Sequence, residues 1–146
     1  MEDVLVDGVD VVADLDKAPW PFEDNSVGVF RMQDALEHLS NPIQTMKELW
    51  RCLSPKGWVL IDVPSTDGRG AFQDPTHVSF WNSNSFWYYT KKTQAQYIDT
   101  PVKFQLNRIL DYYPSDFHKL HKIVYTKAHL VKLHNDLWVP PGGREI

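Results

Sequence analysis

The chain has 146 residues, 42% of them hydrophobic and 23% charged, which is the length and composition of one ordinary globular domain. A single cysteine, Cys52, excludes an intramolecular disulfide and a cysteine-based zinc site. No apolar run approaches the roughly 20 residues of a membrane-spanning helix. The acidic start Met1-Glu2-Asp3-Val4 has neither the basic nor the apolar part of a secretory leader, so the expectation is a cytoplasmic protein.

The net charge of −4 is unevenly placed. Residues 1–100 carry 8 Lys and Arg against 15 Asp and Glu, whereas residues 101–146 carry 7 against 4 and four of the six histidines. The basic C-terminal part makes nucleic acid one partner class to weigh, though a solvated surface explains such a balance more often.

In chain order, Val9 to Leu15 predicts a short buried strand ending in the acid Asp14. Pro19 and Pro21 around Trp20 exclude helix or central strand there, because each proline fixes φ and removes a donor. Glu23 to Ser26 is a turn, Ser26 to Met32 a second strand, and Asp34 to Leu39 one or two helical turns. Asn41 is a good N-cap with Pro42 at the first helical position. Ile43, Met46, Leu49, Trp50 and Leu53 then recur at helical spacing, and Ser54-Pro55-Lys56-Gly57 stops the helix. Trp58 to Val63 is a nearly continuous apolar strand, the kind that is covered on both faces in a parallel α/β sheet.

Residues 64–85 form a long irregular segment, and segments of that length tend to be functional. Phe86 to Gln96 predicts a helix. Lys103–Tyr113 and Lys122–Leu133 predict two strands joined through the turn chemistry of Pro114-Ser115-Asp116. Trp20, Phe80, Trp81 and Trp87 lie in or beside loops, which points to an interface or pocket mouth for some of them. The front of the chain reads as parallel α/β and the back as an antiparallel pair.

Four segments together carry a resemblance. They are Val11-Val12-Ala13-Asp14-Leu15, Pro21-Phe22-Glu23-Asp24-Asn25-Ser26-Val27, Leu36-Glu37-His38-Leu39, and Glu48-Leu49-Trp50-Arg51-Cys52-Leu53-Ser54-Pro55-Lys56-Gly57. In this order and spacing, over about residues 9–63, they resemble the class I S-adenosylmethionine-dependent methyltransferases. The resemblance implies a Rossmann-like sheet with the family order 3-2-1-4-5-7-6. This chain would supply the later, C-terminal part of it, as one methyltransferase-like domain over residues 1–146.

The family's first strand ends in a glycine-rich turn that lets the backbone approach the cofactor. Asp7-Gly8 is an ordinary turn, and only eight residues precede Val9. The expectation is therefore a domain lacking the first strand and the glycine-rich loop, either as a fragment of a longer protein or as a natural truncation. Gly28 stands where the family often has Asp at the start of the fourth strand, and a glycine in a strand weakens it or marks a bulge or close approach.

By resemblance, Asp14 matches the acid that accepts from the adenine amino group, Leu15 supplies packing, and Gln33 lies near the methionine part of the cofactor. His38 is the acid/base candidate, although a structural histidine before Asn41-Pro42 is the more frequent reading of such a residue. Asp74 and His77 lie in the segment that faces the methyl acceptor in the family, and Asp74 before Pro75 is also an ordinary turn starter. A metal held by Asp74, His77 and one further ligand has no support from spacing, so no metal is expected. His118, His121, His129 and His134 read as solvated residues and Cys52 as a small buried apolar one.

The implied activity is methyl transfer, with S-adenosylmethionine bound weakly or not at all by this chain alone. The alternative is a non-catalytic binding or assembly module on the same fold, including nucleic-acid binding. The apolar edge left by the missing strands predicts a twofold homodimer.

Overall fold

The structure is a computed structural model and describes residues 7–133. Four strands form one mixed sheet in the order β1-β2-β4-β3. They are β1 (Val27–Gln33), β2 (Leu53–Pro64), β3 (Phe104–Tyr112) and β4 (Tyr125–Lys132). β1 and β2 are parallel, and β2 with β4 and β4 with β3 are antiparallel. The parallel front and antiparallel back are as expected, and the order equals the last four strands of the family sheet.

The crossover between the parallel strands is α1 (Pro42–Cys52). Asn41 caps it by accepting the Gln44 amide at 3.0 Å, with Pro42 inside the first turn. Met46, Leu49 and Cys52 are fully buried against Val59, Ile61 and Val63 of β2 in one core cluster. Ile43 stands at the exposed rim and Trp50 is half-buried, so the buried stripe is narrower than the periodicity suggested.

β2 starts at Leu53, five residues before the expected Trp58. Lys56 takes a left-handed φ of 67°. Gly57 packs where a Cβ would lie 2.7 Å from the Ser54 carbonyl oxygen. Gly28 does sit at an irregularity, for the β1–β2 register shifts between Val27 and Val29.

Several expectations are corrected. Residues 9–15 form no strand, and Val9, Val11 and Val12 are exposed. A strand needs a neighbour to pair with, whereas here Asp14 closes a local turn by accepting the Asp16 amide at 2.9 Å. The chain then runs to Trp20, which is buried at 3% exposure. Its indole N–H donates to the Leu15 carbonyl at 3.0 Å and its amide to Glu48 Oε1 at 2.7 Å. Trp20 and Trp81 are therefore core residues, Trp87 is half-buried, and of the four named aromatics only Phe80 is largely exposed.

The expected helix over 86–96 is two short ones, α3 (Trp87–Thr90) and α4 (Lys92–Ala95), with extended Lys91 between them. Aromatic and β-branched residues lose side-chain freedom in a helix and propagate it poorly. The irregular segment after β2 contains α2 (Gly70–Gln73), and the β3–β4 connection contains α5 (Asp116–Leu120), capped by Ser115. The sheet is not covered alike on both faces. Along β4, Thr126, Ala128, Leu130 and Lys132 are buried, while Tyr125, Lys127, His129 and Val131 are half-buried. On that second face Lys127 pairs with Asp62 at 2.8 Å, and Tyr112 donates to the same carboxylate at 2.6 Å. His134 and the Pro140–Gly143 tail lie outside the described residues.

Candidate active site

A cleft of about 230 Å³ opens at the carboxyl ends of β1 and β2. That is where open α/β sheets place their ligands. Asp34, Glu37 and His38 reach it from the turn after β1. Gly70, Asp74 and His77 reach it from the segment after β2, His118 from α5 and Tyr125 from the start of β4.

The local folding that brings these residues together is specific. Leu36–His38 is a single 3-10 turn. The Val78 and Ser79 amides both donate to the Glu37 carbonyl, at 2.8 and 3.2 Å, and Ser79 Oγ donates to the Leu36 carbonyl at 2.8 Å. Trp81 Nε1 in turn donates to Ser79 Oγ at 2.9 Å. These bonds hold the two segments side by side, and the His38 and His77 rings meet edge-on with centroids 5.1 Å apart. The other wall is pinned by the Ser65 amide on the Val124 carbonyl and the Arg69 amide on the Lys122 carbonyl, both at 2.8 Å. Gly70 fits there because a Cβ would stand 2.6 Å from the Ile123 side chain.

His38 Nδ1 lies 3.3 Å from the Thr76 carbonyl and His77 Nδ1 3.0 Å from the Ala71 carbonyl. A carbonyl only accepts, so each neutral ring carries its proton on Nδ1 and offers its lone pair at Nε2. His77 Nε2 is 3.5 Å from Asp74 Oδ2, and His38 Nε2 is 3.8 Å from Glu37 Oε1. Asp74 is held in its turn by the amide and hydroxyl of Thr76 at 2.8 and 2.7 Å, which keep its carboxyl below the usual range. Burial pushes the Glu37 carboxyl up. Tyr125 donates its hydroxyl to Asp34 Oδ1 at 2.5 Å.

Of the residues singled out from sequence, His38, Asp74 and His77 are thus brought into one cluster across about forty residues of chain. None of the three cofactor candidates is among the residues that line this cleft. Asp14 is half-buried in its local turn. Leu15 packs against the core, and exposed Gln33 accepts from Arg31 at 2.9 Å. Sequence reading missed Glu37 as a member of the cluster, although it directly precedes His38. His118 was read as a solvated residue, and no local signal could have placed it in the cleft wall.

A family model for the methyltransferase domain matches residues 4–61, the stretch that holds nearly all of the motif run. No curated protein matches the sequence. Among solved structures, a [4+2]-cyclase superposes with a TM-score of 0.59 at 14% identity, over 84% of this chain and 55% of its own. A Haloferax volcanii protein assigned as a methyltransferase, solved in complex with the Trm112 methyltransferase activator, gives 0.58 at 15% identity over 85% and 61%. An S-adenosylmethionine-dependent methyltransferase from Methanosarcina mazei gives 0.54 at 14% identity over 84% and 66%. The chain therefore spans between half and two thirds of the length of these three proteins.

Residues 4–61 are thus similar to a methyltransferase domain, and the four-strand mixed sheet shares the Rossmann-like fold of these neighbours.

Proposed function

We propose that this domain belongs to an enzyme that transfers a methyl group from S-adenosylmethionine, with acceptor chemistry at His38, Asp74 and His77. The observation that carries this reading is the convergence of those three side chains at the carboxyl ends of the parallel strands. Bound S-adenosylmethionine supplies an electrophilic methyl group on a sulfonium. His77 offers Nε2 as the base for an acceptor hydroxyl or amine, and the Asp74 carboxylate beside it stabilises the imidazolium that forms.

On the cofactor side the donor set of this chain is partial. Asp14 is an acceptor-only carboxylate suited to an amino group, Leu15 offers apolar packing and Gln33 a terminal amide. No glycine-rich turn follows a strand among residues 7–133. Titration calorimetry of the 146-residue chain with S-adenosylmethionine tests this. We expect a dissociation constant between high micromolar and millimolar, weakened further in Asp14→Asn. A low-micromolar one-to-one isotherm overturns the partial site, and no heat at millimolar cofactor overturns the cofactor assignment.

A second reading, an assembly module on this fold, is favoured by the open edge of the sheet. β1 is its terminal strand, and Val29 on that strand is 57% exposed. A twofold homodimer paired through β1 would cover it. The neighbour solved with an activator protein makes a different partner chain the natural competitor.

A further inference from the structure

Methyl transfer does not account for Glu37. This side chain is buried at 2% exposure, yet its Oε2 has no hydrogen-bond partner among the described residues. A buried carboxylate oxygen without a donor is costly, and such atoms in a folded protein call for a reason. One stands beside it: one oxygen of Glu37 and one nitrogen each of His38 and His77 lie within 4.8 Å of one another.

We infer that Glu37, His38 and His77 form a binding site for a first-row divalent transition metal ion. Both imidazoles are already oriented as metal ligands are. Their Nδ1 atoms face the carbonyls of Thr76 and Ala71, which leaves Nε2 as the coordinating atom on each ring. Both Nε2 atoms face carboxylates, at 3.8 Å from Glu37 and 3.5 Å from Asp74. The two segments that carry the ligands are fixed to each other by the paired Val78 and Ser79 amides on the Glu37 carbonyl.

Two imidazoles and one carboxylate suit Zn²⁺, Fe²⁺, Co²⁺ or Ni²⁺, whereas Mg²⁺ and Ca²⁺ favour oxygen ligands throughout. Three protein ligands leave coordination positions open, and here they open onto the cleft. Asp74 stands ready as a further oxygen donor. His118 lines the same cleft, but its Nδ1 is engaged by Ser115 Oγ at 2.6 Å, and it lies outside the converging set. A metal on His77 would occupy the Nε2 lone pair that the methyl-transfer reading uses as a base, so the two readings are alternatives at that atom, and metal binding is measured without cofactor or acceptor.

The full 146-residue chain, stripped with a chelator, is titrated with Zn²⁺, Co²⁺ and Mg²⁺ by calorimetry. Zn²⁺ and Co²⁺ should bind at one equivalent, and Mg²⁺ far more weakly. In His38→Gln and His77→Gln, shown folded by circular dichroism, Zn²⁺ affinity should fall on the order of 100-fold. His118→Gln should change it about twofold at most. Imidazole ¹⁵N spectra of the unsubstituted chain read the site even where a variant fails to fold, and should show Zn²⁺ on Nε2 of two histidines. Absent Zn²⁺ binding, folded variants that bind like the unsubstituted chain, or Zn²⁺ seated on histidines other than His38 and His77 would each overturn the proposal.

Discussion

Arg51 shows how one side chain can tie a turn-rich segment to a helix. Its guanidinium donates to Glu48 at 2.9 and 3.0 Å, to Asp24 at 2.7 Å, and to the carbonyls of Phe22 and Trp20 at 2.9 and 3.1 Å. Glu48 in turn receives the Trp20 amide. Prolines at 19 and 21 deprive this stretch of ladder bonds, so Arg51 and Glu48 satisfy groups that a strand would otherwise pair. Arg51→Ala should therefore cost about 2–3 kcal/mol in urea unfolding, since it strands a buried carboxylate and two carbonyls.

The same pair sets a pH dependence. Chiefly through its hydrogen bond to Arg51, the Glu48 carboxyl is held below its ordinary value. A depressed folded value means that the unfolded chain takes up the proton first. The stabilisation is thus present above the unfolded value and is lost as pH falls through the folded one. Urea midpoints should drop from about pH 5 to about pH 3, and Glu48→Gln should flatten part of that slope.

At the scale of elements, the contrast between two glycines tests the β1–β2 crossover. A Cβ on Gly57 would meet backbone oxygens of Ser54 and Gly28 at 2.7 and 3.0 Å, and backbone cannot swing aside. A Cβ on Gly28 would meet nothing within 4 Å. Gly57→Ala should therefore cost about 1–3 kcal/mol. Gly28→Ala should stay within about 0.5 kcal/mol, so Gly28 marks an irregularity of the strand without a packing need. Thermal unfolding of the two variants side by side checks both. The cap of α1 is a smaller, separable contribution: Asn41→Ala should lose about 1 kcal/mol by the same measurement.

At the scale of the whole molecule, β1 is an edge strand with an outward apolar side chain, and such edges pair with other chains unless charge blocks them. Sedimentation at tens of micromolar should show the proposed dimer, and Val29→Lys should return it to monomer. A monomer in the unsubstituted chain sinks that proposal. A dimer indifferent to Val29→Lys moves the contact elsewhere, with the exposed Phe72–Phe80 stack, 5.3 Å between centroids, the next surface to vary.

What the sequence by itself determined is what depends on near neighbours in the chain. The Asn41-Pro42 start of α1, the apolar run from Trp58 to Val63 and the parallel-then-antiparallel order all follow from local chemistry and hydrophobic pattern. His38, Asp74 and His77 were legible as candidates because their residue types and motif positions point to chemistry. Their meeting was not legible, since it depends on bonds between the turn after β1 and the segment near residue 78, about forty residues apart. Tertiary structure likewise decided against Val9 to Leu15 as a strand. An apolar stretch becomes a strand only where a partner strand is within reach, and in residues 7–133 its place is taken by turns leading to the buried Trp20. It also decided for Glu37, an unremarkable acid in the sequence whose carboxylate becomes a buried group facing two imidazoles once β1 and β2 lie parallel.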